Sequence, residues 1–184
     1  TLDGTLFPYT TLFRSELLIG TDNATDINGD VALYVNNGTA VEPIWVLQSA
    51  SFLSLNFQHR YPRPAVADID GDGLVDIFVG YQDDAPVDKV GYLYYYHNNG
   101  TVWDFMTAQF QGLSVVGRAS PTFGDIDGDG DYDLLVGDAQ GKAHLFRNFG
   151  DATGPGFSMA GANHIANYAG VDVHKNAAPD LADV

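Results

Sequence analysis

Two stretches of nine residues, DIDGDGLVD at 68–76 and DIDGDGDYD at 125–133, set aspartates at positions 1, 3, 5 and 9 with glycine at 4 and 6. Asp68, Asp70, Asp72 and Asp76 make the first set; Asp125, Asp127, Asp129 and Asp133 make the second. Like charges this close repel unless something positive lies between them. Alternate spacing lets the side chains converge on one point as the chain curls, and the glycines admit the positive φ that a tight curl needs. A divalent cation turns the repulsion into binding free energy. Ligation by carboxylates alone suits a hard ion, and Ca2+, which accepts about 6–8 oxygens in flexible geometry, suits it better than Mg2+, which keeps its waters. Position 7 (Leu74, Asp131) offers a main-chain carbonyl, or the Asp131 side chain turns to solvent. An EF-hand is excluded, because its position 12 needs Glu and the residues here are Val79 and Val136, inside apolar runs.

The elements that must hold these loops repeat with them. Asp68 and Asp125 stand 57 residues apart, and each follows a matching lead-in, PAVAD from Pro64 and PTFGD from Pro121. PDLAD from Pro179 repeats that lead-in once more. After each Asp set comes an apolar run ending in glycine, DIFVG at 76–80 and DLLVG at 133–137, and ELLIG at 16–20 fits the same slot with Glu16 for Asp. Farther on comes an aromatic-x-Asn-x-Gly signature, as YVNNG at 34–38, YHNNG at 96–100 and FRNFG at 146–150. Three units thus share two landmarks in one order. The second unit carries extra residues around QDDAPVDKV, which belong in a hairpin loop.

Within a unit the lead-in, the apolar run and the stretch GYLYYYHN or GKAHLFRN read as strands, with TVWDFMTAQF and GFSMAGANH as weaker candidates for a fourth. No window sustains helical periodicity. Such a sheet cannot bury both faces alone, so neighbouring units must stack face to face, which is the logic of a propeller. The expected fold is all-β: a partial β-propeller of about three four-stranded antiparallel blades with calcium loops.

Composition agrees. The acid is 22 Asp against 2 Glu, which places it in loops rather than helices. A net charge of −16 argues against nucleic acid or an anionic membrane as partner and leaves a role for cations. There is no cysteine, so disulfides and thiolate zinc sites are excluded. No apolar run is long enough for membrane insertion in this segment.

The motif D-x-D-x-D-G-x-x-D after a short strand, followed by LLVG in a unit of 57 residues, resembles the FG-GAP/VCBS repeat family. Phe123-Gly124 supplies an FG, and no clear GAP follows, which favours the bacterial VCBS-like branch over an integrin. The resemblance implies a β-propeller whose loop holds Ca2+ between two strands of one blade. The implied ligands are Asp68, Asp70, Asp72, the Leu74 carbonyl and Asp76, then Asp125, Asp127, Asp129, the Asp131 carbonyl and Asp133. It implies an extracellular or cell-surface setting and a ring of more blades than this chain carries, making it a fragment. Residues 16–184 are expected to form the repeat region. Residues 5–15, TLFPYTTLFRS, resemble a translated sequencing adaptor, so 1–15 are expected to be artefactual or disordered, interrupting the first unit's own loop.

The remaining polar signals are weaker. DINGD at 26–30 mimics a calcium loop but lacks the later glycine and aspartate. The five histidines show no paired metal spacing, and His97 and His144 read as ordinary strand residues. Tyr96 aligns with Tyr34 and Phe146, which assigns the YLYYY run to packing between blades, and Asn36, Asn98 and Asn148 are expected to hydrogen-bond a turn. The functional expectation is a non-catalytic adhesion scaffold binding protein or glycan. The alternative is a fragment of a propeller-fold polysaccharide lyase or hydrolase.

Overall fold

In a computed structural model, which describes residues 16–22, 29–53, 60–83, 89–151 and 153–181, the chain forms three antiparallel sheets. The first holds β1 (Glu16–Asp22), β2 (Gly29–Asn36) and β3 (Trp45–Ser49) in that order. The second holds β4 (Arg60–Ala67), β5 (Asp76–Gln82), β6 (Val90–Asn98) and β7 (Trp103–Thr107), and a two-residue β8 (Val115–Val116) pairs with the start of β6. The third runs β9 (Ser120–Gly124), β10 (Asp133–Gly137), β11 (Ala143–Phe146) and β12 (His164–Ile165). This is a partial β-propeller, as the repeats require.

The second strand of each unit explains the stacking. Every residue of β5 and of β10 is buried, which happens only when both faces of a sheet are covered. On β5, Ile77, Val79 and Tyr81 face the first sheet and cluster with Val31, Tyr94 and Tyr96, with Leu18 packed against them. The tyrosine run therefore packs between blades, as its alignment predicts. Phe78 points the other way, into a core that joins Leu93, Phe110 and Leu113 to Leu134, Val136 and Phe146 of the third sheet. Its ring centroid lies 4.9 Å from that of Tyr95 and 4.5 Å from that of Phe123.

A glycine sets how closely the sheets approach. A Cβ on Gly20 would lie 1.8 Å from the Pro62 carbonyl oxygen, one on Gly80 2.3 Å from that of Ala119, and one on Gly137 2.2 Å from that of Ala177. Each carbonyl stands two residues before the repeated proline of the next lead-in (Pro64, Pro121, Pro179), so the contact recurs unit by unit. Residues 177–181 thus lie against the third sheet as β4 and β9 lie against the first and second.

The fourth strands hold the surprises. TVWDFMTAQF does supply β7, but GFSMAGANH contributes only His164 to a strand, and its Gly161–Asn163 segment is a 3-10 turn. Its interior glycine, Gly161, weakens any ladder there. β3 and β8 had no clear signal. The insertion QDDAPVDKV begins at the end of β5 and ends at the start of β6, two strands that pair antiparallel; its residues 84–88 lie outside the described residues.

Candidate metal centre

Both Asp loops connect the first two strands of a unit: 68–75 joins β4 to β5, and 125–132 joins β9 to β10. Gly71 and Gly73 have φ of 69° and 89°, and Gly128 and Gly130 have 81° and 96°. A Cβ on Gly73, Gly128 or Gly130 would meet nothing, so the backbone angle and not space calls for glycine. The curls close on their own carboxylates. Asp68 Oδ2 accepts the Gly73 N–H at 3.0 Å, and Asp125 Oδ2 accepts that of Gly130 at 3.0 Å. Asp125 Oδ1 also accepts from Gly128 (2.7 Å) and Asp129 (3.1 Å). The position-5 aspartates act alike: Asp72 Oδ1 accepts the Leu74 N–H at 2.8 Å, and Asp129 Oδ1 that of Asp131 at 3.0 Å.

The ninth position is different in kind. Asp76 and Asp133 are 1% and 2% exposed. Asp76 Oδ1 accepts the Asn98 N–H at 2.7 Å, and its Oδ2 accepts the Tyr95 hydroxyl at 3.2 Å. Asp133 Oδ1 accepts the Asn148 N–H at 2.9 Å, and its Oδ2 that of Ile126 at 3.2 Å. Burial pushes both carboxyls above their ordinary range against these hydrogen bonds; Asp70 adds to the rise at Asp76, and Asp127 and Asp129 add to it at Asp133. The repeated asparagines each cap a turn, as expected: Asn36 Oδ1 accepts from Gly38, Asn98 Oδ1 from Gly100 and Asn148 Oδ1 from Gly150.

In the second loop, carboxylate oxygens of Asp125, Asp127 and Asp129 lie within 4.8 Å of one another. In the first, Asp70 and Asp72 make such a group with a ring nitrogen of His97. These groups can hold a metal ion. Asp68 stands outside the tight triplet, and its Oδ1 is buried with no hydrogen-bond partner. A buried carboxylate oxygen left unpaired is costly, and a cation is the natural partner for it, so the donor set fits a hard ion. Asp76 and Asp133 belong to neither triplet; Asp76 meets the first through His97 Nδ1 at 3.2 Å.

His97 is the residue that the sequence reading passed over, and strand register shows why it belongs here. Ile77 pairs with Tyr96 and Leu134 with Phe146, so residue 97 falls opposite Asp76, and residue 147 opposite Asp133. His97 Nδ1 lies 3.2 Å from Asp76 Oδ1 and 3.4 Å from Asp70 Oδ2. Arg147 Nε lies 3.9 Å from Asp127 Oδ2. Both side chains precede the repeated asparagine and both meet position 3 of the loop, a signal that aligning the units on that asparagine would have shown.

His144 Nε2 meets Asp138 Oδ2 at 3.0 Å, while Asp138 Oδ1 accepts the Gln140 and Lys142 N–H groups, so this buried pair pins a hairpin turn. A cleft along the inner strands is lined by Leu18, Pro64, Pro121, Phe123 and other small or apolar groups, with Arg63 and Asp180 as its charged side chains. The adaptor-like string, and residues 26–28 of DINGD, lie outside the described residues. Among the described residues no helix is long and apolar enough to cross a membrane.

Residues 68–136 match the family model of the FG-GAP-like repeat, a span that opens on Asp68 and closes within β10. No curated protein and no solved structure matches the chain.

Proposed function

We propose, from the FG-GAP-like repeat that the chain carries, that it is a calcium-braced propeller segment of a secreted or cell-surface protein, a non-catalytic scaffold that presents loops to a protein or glycan. The observation that supports this best is the unpaired, buried Oδ1 of Asp68 in the first of two loops whose carboxylates gather within 4.8 Å of one another. Asp68, Asp70, Asp72, Asp76 and the Leu74 carbonyl would hold one ion; Asp125, Asp127, Asp129, Asp133 and the Asp131 carbonyl would hold the other. The ion would supply positive charge and rigidity, and no reaction. Modest affinity suffices outside cells, where extracellular calcium modules work at about 10⁻⁴–10⁻³ M.

The test is a calcium titration by calorimetry with melting curves in Ca2+ and in chelator, on the wild-type chain and on Asp70→Ala and Asp127→Ala. Each substitution should remove one binding event and lower the melting temperature in Ca2+ alone. Absence of heat from the wild type, or equal losses in both buffers, would refute the calcium reading. A glycan array and a protein-capture screen on the same calcium-loaded chain address the partner.

A further inference from the structure

The two loops differ in one respect that their shared motif does not reveal. Each has a basic side chain at the same register position, and the two side chains are chemically unlike. The Nδ1 of His97 meets both the position-3 and the position-9 carboxylates of its loop, at 3.4 Å and 3.2 Å, so one atom points between Asp70 and Asp76. Together with Asp70 and Asp72 it forms a group of mixed nitrogen and oxygen donors. Imidazole has a lone pair to give a metal, and it favours first-row transition ions over calcium. Guanidinium stays protonated and has no lone pair to offer. Arg147 therefore leaves its loop to oxygen donors, with a tethered positive charge 3.9 Å from Asp127.

We infer that the loops have divergent cation preferences: His97 makes loop 68–76 a nitrogen–oxygen site for a divalent first-row transition ion, and Arg147 keeps loop 125–133 an oxygen-only site. The inference rests on reading both loops as cation sites, and it adds the identity of the ion at one of them. His97 becomes the residue that sets specificity, its Nδ1 lying within reach of an ion shared with Asp70 and Asp76.

The experiment uses the full chain with Mn2+ as probe. Pulsed EPR on a substoichiometric Mn2+ complex should show coupling to one imidazole nitrogen. His97→Gln should abolish that coupling, and Asp127→Ala should keep it. In calorimetric competition, His97→Gln should lower the preference for Mn2+ over Ca2+ at one of the two sites by about tenfold or more. The Ca2+ heat at loop 125–133, unchanged in His97→Gln, shows that the variant has folded. Bound Mn2+ without nitrogen coupling, or coupling that survives His97→Gln, overturns this inference while leaving two calcium sites standing. If neither ion binds the wild type, the cation reading of both loops falls, and this inference with it.

Discussion

Replacing Asp76 by Asn separates the two tasks of the ninth position. Asn keeps the shape of the side chain, and its Oδ1 can still accept the Asn98 N–H that Asp76 accepts at 2.7 Å. The Tyr95 hydroxyl, now donating to Asp76 Oδ2 at 3.2 Å, must turn away or accept instead, a change of about 1 kcal/mol. Against that loss, the substitution removes a buried charge whose carboxyl is pushed upward by desolvation and by Asp70. A raised carboxyl favours the folded state below the ordinary value of 3.8 and loses that contribution as pH rises through the folded value. At neutral pH the ionised Asp76 is therefore a burden on the metal-free fold, and Asn relieves it. The two effects oppose each other in chelator, so any fall in melting temperature there should be smaller than the fall in Ca2+. In Ca2+ the outcome differs. One site filled at a hundred times its Kd contributes about 2.7 kcal/mol. For a chain of this length that is a shift of about 5–10 °C. Asp76→Asn should erase most of that gain at the first loop. The assay is differential scanning calorimetry of wild type and variant in both buffers at neutral pH. An equal fall in Ca2+ and in chelator would make Asp76 a structural acceptor only and refute the reasoning.

Other outcomes follow from the same geometry. Gly80→Ala should lower the melting temperature in both buffers alike, because its Cβ meets the Ala119 carbonyl at 2.3 Å and overpacking of that kind costs about 1–3 kcal/mol; an unchanged melting curve would contradict the close contact between sheets. Arg147→Gln should tighten Ca2+ at loop 125–133 by about two- to fivefold, since a half-exposed charge pair is worth at most about 1 kcal/mol; calorimetry showing weaker binding would count against Arg147 as a competing cation. Burial pushes both Tyr81 and Tyr96 up to about 12, so they favour the fold fully below pH 10, the ordinary tyrosine value, and lose that contribution as pH rises through 12. Absorbance at alkaline pH should show these tyrosines ionising together with unfolding, and free ionisation in a still-folded chain would show the sheet interface to be open.

The sequence made the loops and the stacking legible because both rest on local spacing. Asp at alternate positions with glycine between reads as a curl without any knowledge of neighbours, and apolar runs such as DIFVG read as doubly covered strands. The tyrosine run was placed by aligning Tyr96 with Phe146, and the asparagine turns by their recurrence. What the sequence hid depends on pairing across strands. His97 lies 21 residues from Asp76, whereas Arg147 lies 14 from Asp133, because the β5–β6 hairpin carries the insertion and the β10–β11 hairpin does not. Counting along the chain thus separates two residues that the sheet makes equivalent. The double role of the ninth aspartate was hidden for a similar reason, since its main partner is a backbone N–H on the side of the neighbouring strand, 22 residues on for Asp76 and 15 for Asp133. The poor fourth strand of the third sheet is a matter of local geometry: Phe157 is buried in the core without a ladder, and the turn capped by Asn148, which accepts from Gly150 and Gly156, holds the chain in place of one.

The three units separate the residues that make the fold from those that would choose an ion on the reading proposed above. The glycine that receives the next lead-in, at 20, 80 and 137, is present in all three, and so is the asparagine that caps the outer turn. The pair at the ninth position is not constant: it is Glu16 with Val35 in the first sheet, Asp76 with His97 in the second and Asp133 with Arg147 in the third. The β1–β2 ladder forms in full register with Glu and Val there, so that position does not decide whether the sheet folds. Where Asp occupies it, the carboxylate is tied to the backbone of the capping asparagine, and an ion drawn to the loop is thereby linked to the far turn of the same blade. Charge at the partner position is then free to vary, because it changes what the loop attracts without touching the glycine contacts or the asparagine turns that hold one sheet against the next.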